Sequence, residues 1–132
     1  MPNHIHLLVF VQESCNGLNG VMANAKRFMA YEVVKRLEKQ RRFDLLSRMV
    51  SGVQANEKLK GKKHQVFRLS FDASEIRSVK AIHRVLDYIH YNPVKGKWSL
   101  ADGPISYPYS SARFYDTGRD GEIKCVDFRS YS

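Results

Sequence analysis

Residues 4–12, HIHLLVFVQ, decide the fold. The run is rich in Ile, Leu, Val and Phe and is followed by turn-forming residues 13–17, so it reads as a strand. Side chains in a strand alternate faces with period two, which puts His4 and His6 on one side and Ile5 and Leu7 on the other. Two imidazoles on one face suit a divalent cation, yet a site needs a third donor from elsewhere in the chain. The same spacing also describes a plain strand with one polar, half-exposed face, and HxH by itself does not separate the two.

Working outward, the 132 residues fit one domain, residues 1–132, with a loop-rich tail over 116–132. The chain is basic, with 22 Lys and Arg against 13 Asp and Glu, a formal charge of +9 and a pI near 9.7. The excess is concentrated between Lys26 and Lys63, where Lys26, Arg27, Lys60, Lys62 and Lys63 are candidate phosphate contacts. A solvated helix face followed by a lysine-rich loop accounts for the same charges. Cys15 and Cys125 are far apart and form no CxxC or zinc spacing. No signal-peptide pattern and no apolar run of about 20 residues is present, so a cytoplasmic protein with no membrane partner is expected.

A long helix is predicted over residues 18–40, where Leu18, Val21, Met22, Ala25, Phe28, Met29, Val33 and Leu37 recur at three- and four-residue steps. A shorter one follows, with Phe43, Leu46, Met49, Val50 and Val53 as its apolar stripe. Residues 54–64, QANEKLKGKKH, lack periodicity and read as a loop, and QVFRLSF over 65–71 reads as a second strand. The next helix is capped by Asp72 or Ser74 and stops where Asn92 precedes Pro93. A short helix is expected near 110–115.

On the helix that ends at Asn92, Tyr88 and Asn92 are four residues apart and therefore share a side, with Arg84 one turn earlier. A tyrosine phenol attacks a phosphodiester when a cation draws charge off the phosphate, and an amide oxygen is a hard ligand for such a cation. His4, His6 and Asn92 then make three ligands. Taken singly, Tyr88 is also an ordinary packed aromatic and Asn92 a helix-terminal hydrogen bonder. His64, His83 and His90 read as hydrogen-bonded structural histidines. Trp98, Tyr107 and Tyr109 suit either base stacking or packing under the C-terminal loops.

Three stretches in order, MPNHIHLLV (1–9), LDYIHYNPVKGKW (86–98) and ISYPYSSARFY (105–115), resemble the single-strand HUH transposases with one catalytic tyrosine, including the REP-associated tyrosine transposases. The resemblance spans nearly the whole chain. It implies an α+β, ferredoxin-like (RRM-like) antiparallel sheet with helices packed on it. It also implies cleavage and rejoining of single-stranded, hairpin-flanking DNA through a 5′-phosphotyrosine on Tyr88. His4, His6 and Asn92 match the residues holding Mg²⁺ or Mn²⁺, and Arg84, Lys95 and Lys97 join the candidate DNA contacts. Members of that family carry a strand and helix ahead of the HUH strand, whereas MPNH begins this sequence. The sheet is thus expected without its first strand and helix, and its exposed edge predicts a homodimer. The alternative is a catalytically inactive or domesticated module that binds hairpin DNA. A metal hydrolase ranks last, because only Asp87 supplies a carboxylate nearby.

Overall fold

Spacing of apolar residues at three and four builds α1 (Gly17–Lys39), whose Leu18, Met22, Ala25, Met29, Val33 and Leu37 form a half-buried side. Val21 and Phe28 match the spacing but lie at the edge of that side and are exposed. The computed structural model describes residues 1, 3–12, 17–68 and 71–131. These form two compact units, Val11–Ala73 and the combination of Met1–Phe10 with Ser74–Ser132.

In the Val11–Ala73 unit, α1 packs on α2 (Phe43–Ser51). Between them Arg41 takes the left-handed conformation at φ 54°. Its N–H reaches Glu38 O at 3.0 Å, and the Arg42 N–H reaches Leu37 O at 2.9 Å, closing a Schellman turn. Leu46 and Val53 are the buried apolar residues here. The Arg42 guanidinium grips Asp44 at 3.0 and 2.9 Å in the first turn of α2, holding that carboxyl down at about 2. Where a loop was expected over 54–64, a short helix α3 (Ala55–Leu59) forms. It closes by the same turn, with Gly61 left-handed at φ 83° and the Lys62 N–H on Glu57 O at 3.0 Å. That one-turn helix is too short for apolar periodicity to announce it.

In the other unit, α4 (Val79–Tyr91) begins later than either expected cap. Ser78 is the cap instead, its hydroxyl accepting from the Ala81 N–H at 3.3 Å. The helix runs into a 3₁₀ turn over Asn92–Val94, where Pro93 is buried and cannot continue the hydrogen-bond ladder. A second 3₁₀ turn (Pro104–Ser106) packs against α4 and against α5 (Ala112–Thr117). A third spans Phe128–Tyr131. Leu86 and Ala112 are buried, with His90 beside them donating or accepting at 2.9 Å with Ser111 Oγ.

The expected α+β ferredoxin-like sheet is not formed. Helices hold 53 % of the structure, and among the described residues there is no strand. The reason is a missing ladder. A β-prone sequence becomes a strand only when neighbouring strands take its N–H and C=O groups and a surface covers one face. Residues 3–12 have no regular structure, and Ile5 and Leu7 stay 57 % and 55 % exposed. The second expected strand, 65–71, is a strap: its Gln65 N–H bonds Met49 O at 2.8 Å at the end of α2. Residues 69–70 of that stretch, and 13–16 of the expected turn, lie outside the described residues. Among the described residues no helix is long and apolar enough to cross a membrane.

Candidate functional site

The unit formed by Met1–Phe10 and Ser74–Ser132 brings together four side chains that are remote in sequence. Because α4 terminates at Asn92, the amide of that residue projects from a helix end instead of lying along a helix side. Asn92 Nδ2 donates to His6 Nε2 at 2.8 Å. An amide N–H₂ only donates, so His6 carries its own proton on Nδ1. His4 Nδ1 lies 2.7 Å from Asn3 Oδ1. That oxygen only accepts, so His4 donates from Nδ1, and its neutral tautomer has the electron pair on Nε2.

The two imidazoles stand edge to face with centroids 4.9 Å apart. His6 is half-buried, and burial followed by the neighbouring His4 lowers its pKa below the ordinary imidazole value. A neutral ring with an outward electron pair is the form that ligates metal. One turn before Asn92, the Tyr88 ring meets His6 at 5.4 Å, also edge to face, and is 61 % exposed. The phenol is thus steered by His6 on one edge and open to solvent on the other.

Among the described residues, no three of His, Cys, Asp and Glu gather as a metal cluster. The donors present are two imidazole Nε2 atoms and the Asn92 amide, whose oxygen is the ligand type hard cations take. This mixed set fits a divalent ion, and its two nitrogens favour Mn²⁺ over Mg²⁺. The Asn92 N–H₂ now engages one of those electron pairs, so ligation and this hydrogen bond exclude each other.

Around these four, Trp98 faces His4 at 6.4 Å and carries Lys97 Nζ over its ring at 5.0 Å. Lys95 Nζ sits 4.6 Å over Tyr91. Arg84 is exposed one turn before Tyr88. Sequence reasoning missed Asn3 as the group fixing the His4 tautomer, and Tyr91 as the seat of Lys95. The signals were an Asn directly before HIH and the Tyr-Asn-Pro-Val-Lys spacing that returns a lysine four residues after a tyrosine. Asp87 instead lines a cavity of about 160 Å³ with His83, His90 and Phe128.

Lys26, Arg27, Lys60, Lys62 and Lys63 belong to the other unit. Lys26 Nζ donates to Arg68 O at 3.1 Å and lies over Phe71. Lys62 Nζ is held by both Glu57 carboxylate oxygens at 3.0 Å. Lys60 and Lys63 are exposed. Of the remaining histidines, His83 rests on Phe128 at 5.4 Å and His90 is hydrogen-bonded to Ser111.

Compared with family models, characterised proteins and solved structures, the chain matches none.

Proposed function

We propose that the protein is a cytoplasmic transposase-type nuclease and strand transferase. It would cut and rejoin single-stranded, hairpin-flanking DNA with Tyr88 as nucleophile, as the resemblance to the single-strand HUH transposases implies. The observation that carries this reading is the convergence of Tyr88, His6 and Asn92, with His4 alongside, from sequence positions more than 80 apart. Packing does not call for Tyr88 or His4, both of which are exposed.

In the proposed step the Tyr88 oxygen forms a bond to phosphorus as the bond from phosphorus to the 3′-oxygen breaks. The phenol loses its proton and the departing 3′-oxygen gains one. His4, His6 and Asn92 would hold a Mg²⁺ or Mn²⁺ ion, which when bound would supply charge stabilisation at the phosphate. His6 orients the Tyr88 ring, Asn3 holds the His4 tautomer, and Lys95, Lys97 and Arg84 supply positive charge for the strand. The phosphotyrosine is reversible, so an incoming 3′-hydroxyl rejoins the DNA without a nucleotide cofactor.

A second reading, a binding module that holds hairpin DNA without cutting it, is favoured by one observation. No ladder anchors residues 3–12, so the imidazoles depend on Asn3 and Asn92 for their placement. A homodimer belongs to either reading, because Ile5 and Leu7 are exposed apolar side chains that a second copy would cover. Sedimentation of wild type against Ile5→Ser with Leu7→Ser tests it, and an unchanged monomer removes it.

The deciding experiment incubates the protein with a 5′-labelled or 3′-labelled single strand and Mn²⁺, then denatures it. Transesterification leaves a covalent adduct with the 3′-labelled fragment in wild type and none in Tyr88→Phe. An adduct that persists in Tyr88→Phe but vanishes in Tyr91→Phe moves the nucleophile. No adduct in wild type with Mn²⁺ or Mg²⁺ leaves the binding module.

A further inference from the structure

The outward side of α1 is unexplained by packing. Its half-buried side is complete without Phe28 and Tyr31, which are 60 % and 64 % exposed. Three residues apart on a helix, they are neighbours on one side. Arg27 places its guanidinium 5.1 Å from the Phe28 centroid, and exposed Lys35 follows Tyr31 by one turn. Of the two α1 carboxylates, Glu32 is already paired with Arg36 at 4.0 Å.

We propose that Phe28 and Tyr31 form a stacking surface for unpaired bases of single-stranded DNA, with Arg27 and Lys35 beside them on the phosphates. This rests on the DNA-binding part of the reading above, not on its chemistry. Adjacent exposed aromatics flanked by cations match what a single strand offers, flat apolar bases alternating with negative charge. Charge complementarity selects this occupant over a second copy. The Val11–Ala73 unit has 13 Lys and Arg against 6 Asp and Glu, so two such sides would bring like charges together. Duplex DNA is excluded by geometry, because its bases present no open face to an aromatic ring.

Fluorescence anisotropy with a labelled oligothymidylate tests the proposal. Phe28→Leu with Tyr31→Leu keeps apolar bulk and helix propensity, and should weaken binding about tenfold or more while leaving the salt slope unchanged. Tyr31→Phe should bind as wild type does. Arg27→Gln with Lys35→Gln, which alters neither aromatic, should instead lower the salt slope by about 1.4. Unchanged affinity in the double leucine variant overturns the proposal. So does an equal loss on duplex DNA, or conversion of an oligomer to monomer at unchanged affinity for the strand. The adduct assay separates this from Tyr88. An adduct with unaltered affinity in the leucine variant sinks the stacking surface alone, whereas weakened binding with no adduct in wild type sinks the chemistry alone.

Discussion

Charge and chemistry are divided between the two units. The Val11–Ala73 unit has 13 basic residues against 6 acidic ones, while the other unit has 9 against 7. The nearly neutral unit nevertheless holds both HIH imidazoles, Tyr88 and Asn92. Polyanion attraction needs many loosely placed cations, whereas a metal and a nucleophile need a few side chains placed within ångströms. Under the proposed function the two demands would fall to different units. One unit lays cations along helices closed by local turns, and the other assembles donors from sequence positions more than 80 apart.

The largest effect that can break this division is loss of a proposed metal ligand. His6→Ala should reduce adduct formation at least about 100-fold, with strand affinity within about twofold of wild type. His4→Ala should do the same. Equal losses of adduct and affinity would mean that the site and the binding surface are one thing, and the division would fail.

Next in size is the salt dependence of DNA binding. Each phosphate contact contributes a slope of about 0.7 on single strands. Lys62 is held by Glu57, so Lys62→Gln should leave the slope nearly unchanged, and neutralising Lys60, Lys62 and Lys63 together should lower it by about 1.4. A fall of about 2.1 would show that DNA displaces Glu57. No fall would take the strand away from this loop.

The same division tracks what the sequence made legible. Periodicity over residues 18–40 marked α1 to within a residue at each end, because helical hydrogen bonds are local. The stop at Asn92 was legible for the same reason, Pro93 being unable to continue the ladder. The sheet was misread because HIHLLVFVQ and QVFRLSF have strand composition, while a strand is completed by partners that no local pattern records. The pairing of Asn92 with His6 was reachable only as chemistry: an amide one turn after a tyrosine, and two imidazoles wanting a third donor. Phe28 was assigned to the apolar stripe by its spacing. It lies outside because positions 22, 25, 29 and 33 already fill that side.

A pH experiment sharpens the contrast further. Burial lowers the His90 pKa below its ordinary 6.5, outweighing Asp87, and His6 moves in the same direction. Both favour the neutral ring in the folded state, so their contribution is complete above about 6.5 and is lost as pH falls below it. The thermal midpoint should therefore drop on acidification from neutral pH. His90→Gln, which keeps a partner for Ser111, should flatten part of that slope and His6→Gln another part. A midpoint that rises on acidification would reverse the assigned direction.

The smallest effect concerns how the basic unit closes its turns. It uses one Schellman turn twice, and at the left-handed position one copy has Gly61 and the other Arg41. A non-glycine residue there costs about 1–2 kcal/mol. Glycine removes that cost but loses about 0.5–1 kcal/mol through its greater freedom in the unfolded chain. Arg41→Gly should therefore stabilise by about 0.5–1 kcal/mol, raising the thermal midpoint by a few degrees. The reciprocal change, Gly61→Ala, meets no neighbouring atom within 4 Å, so any loss it causes is backbone strain and not a clash. The pair makes the test internal: a gain at 41 and a loss at 61 follow only if both turns are left-handed as described. A loss at 41 instead would mean that the Arg41 side chain contributes more than its backbone strain costs.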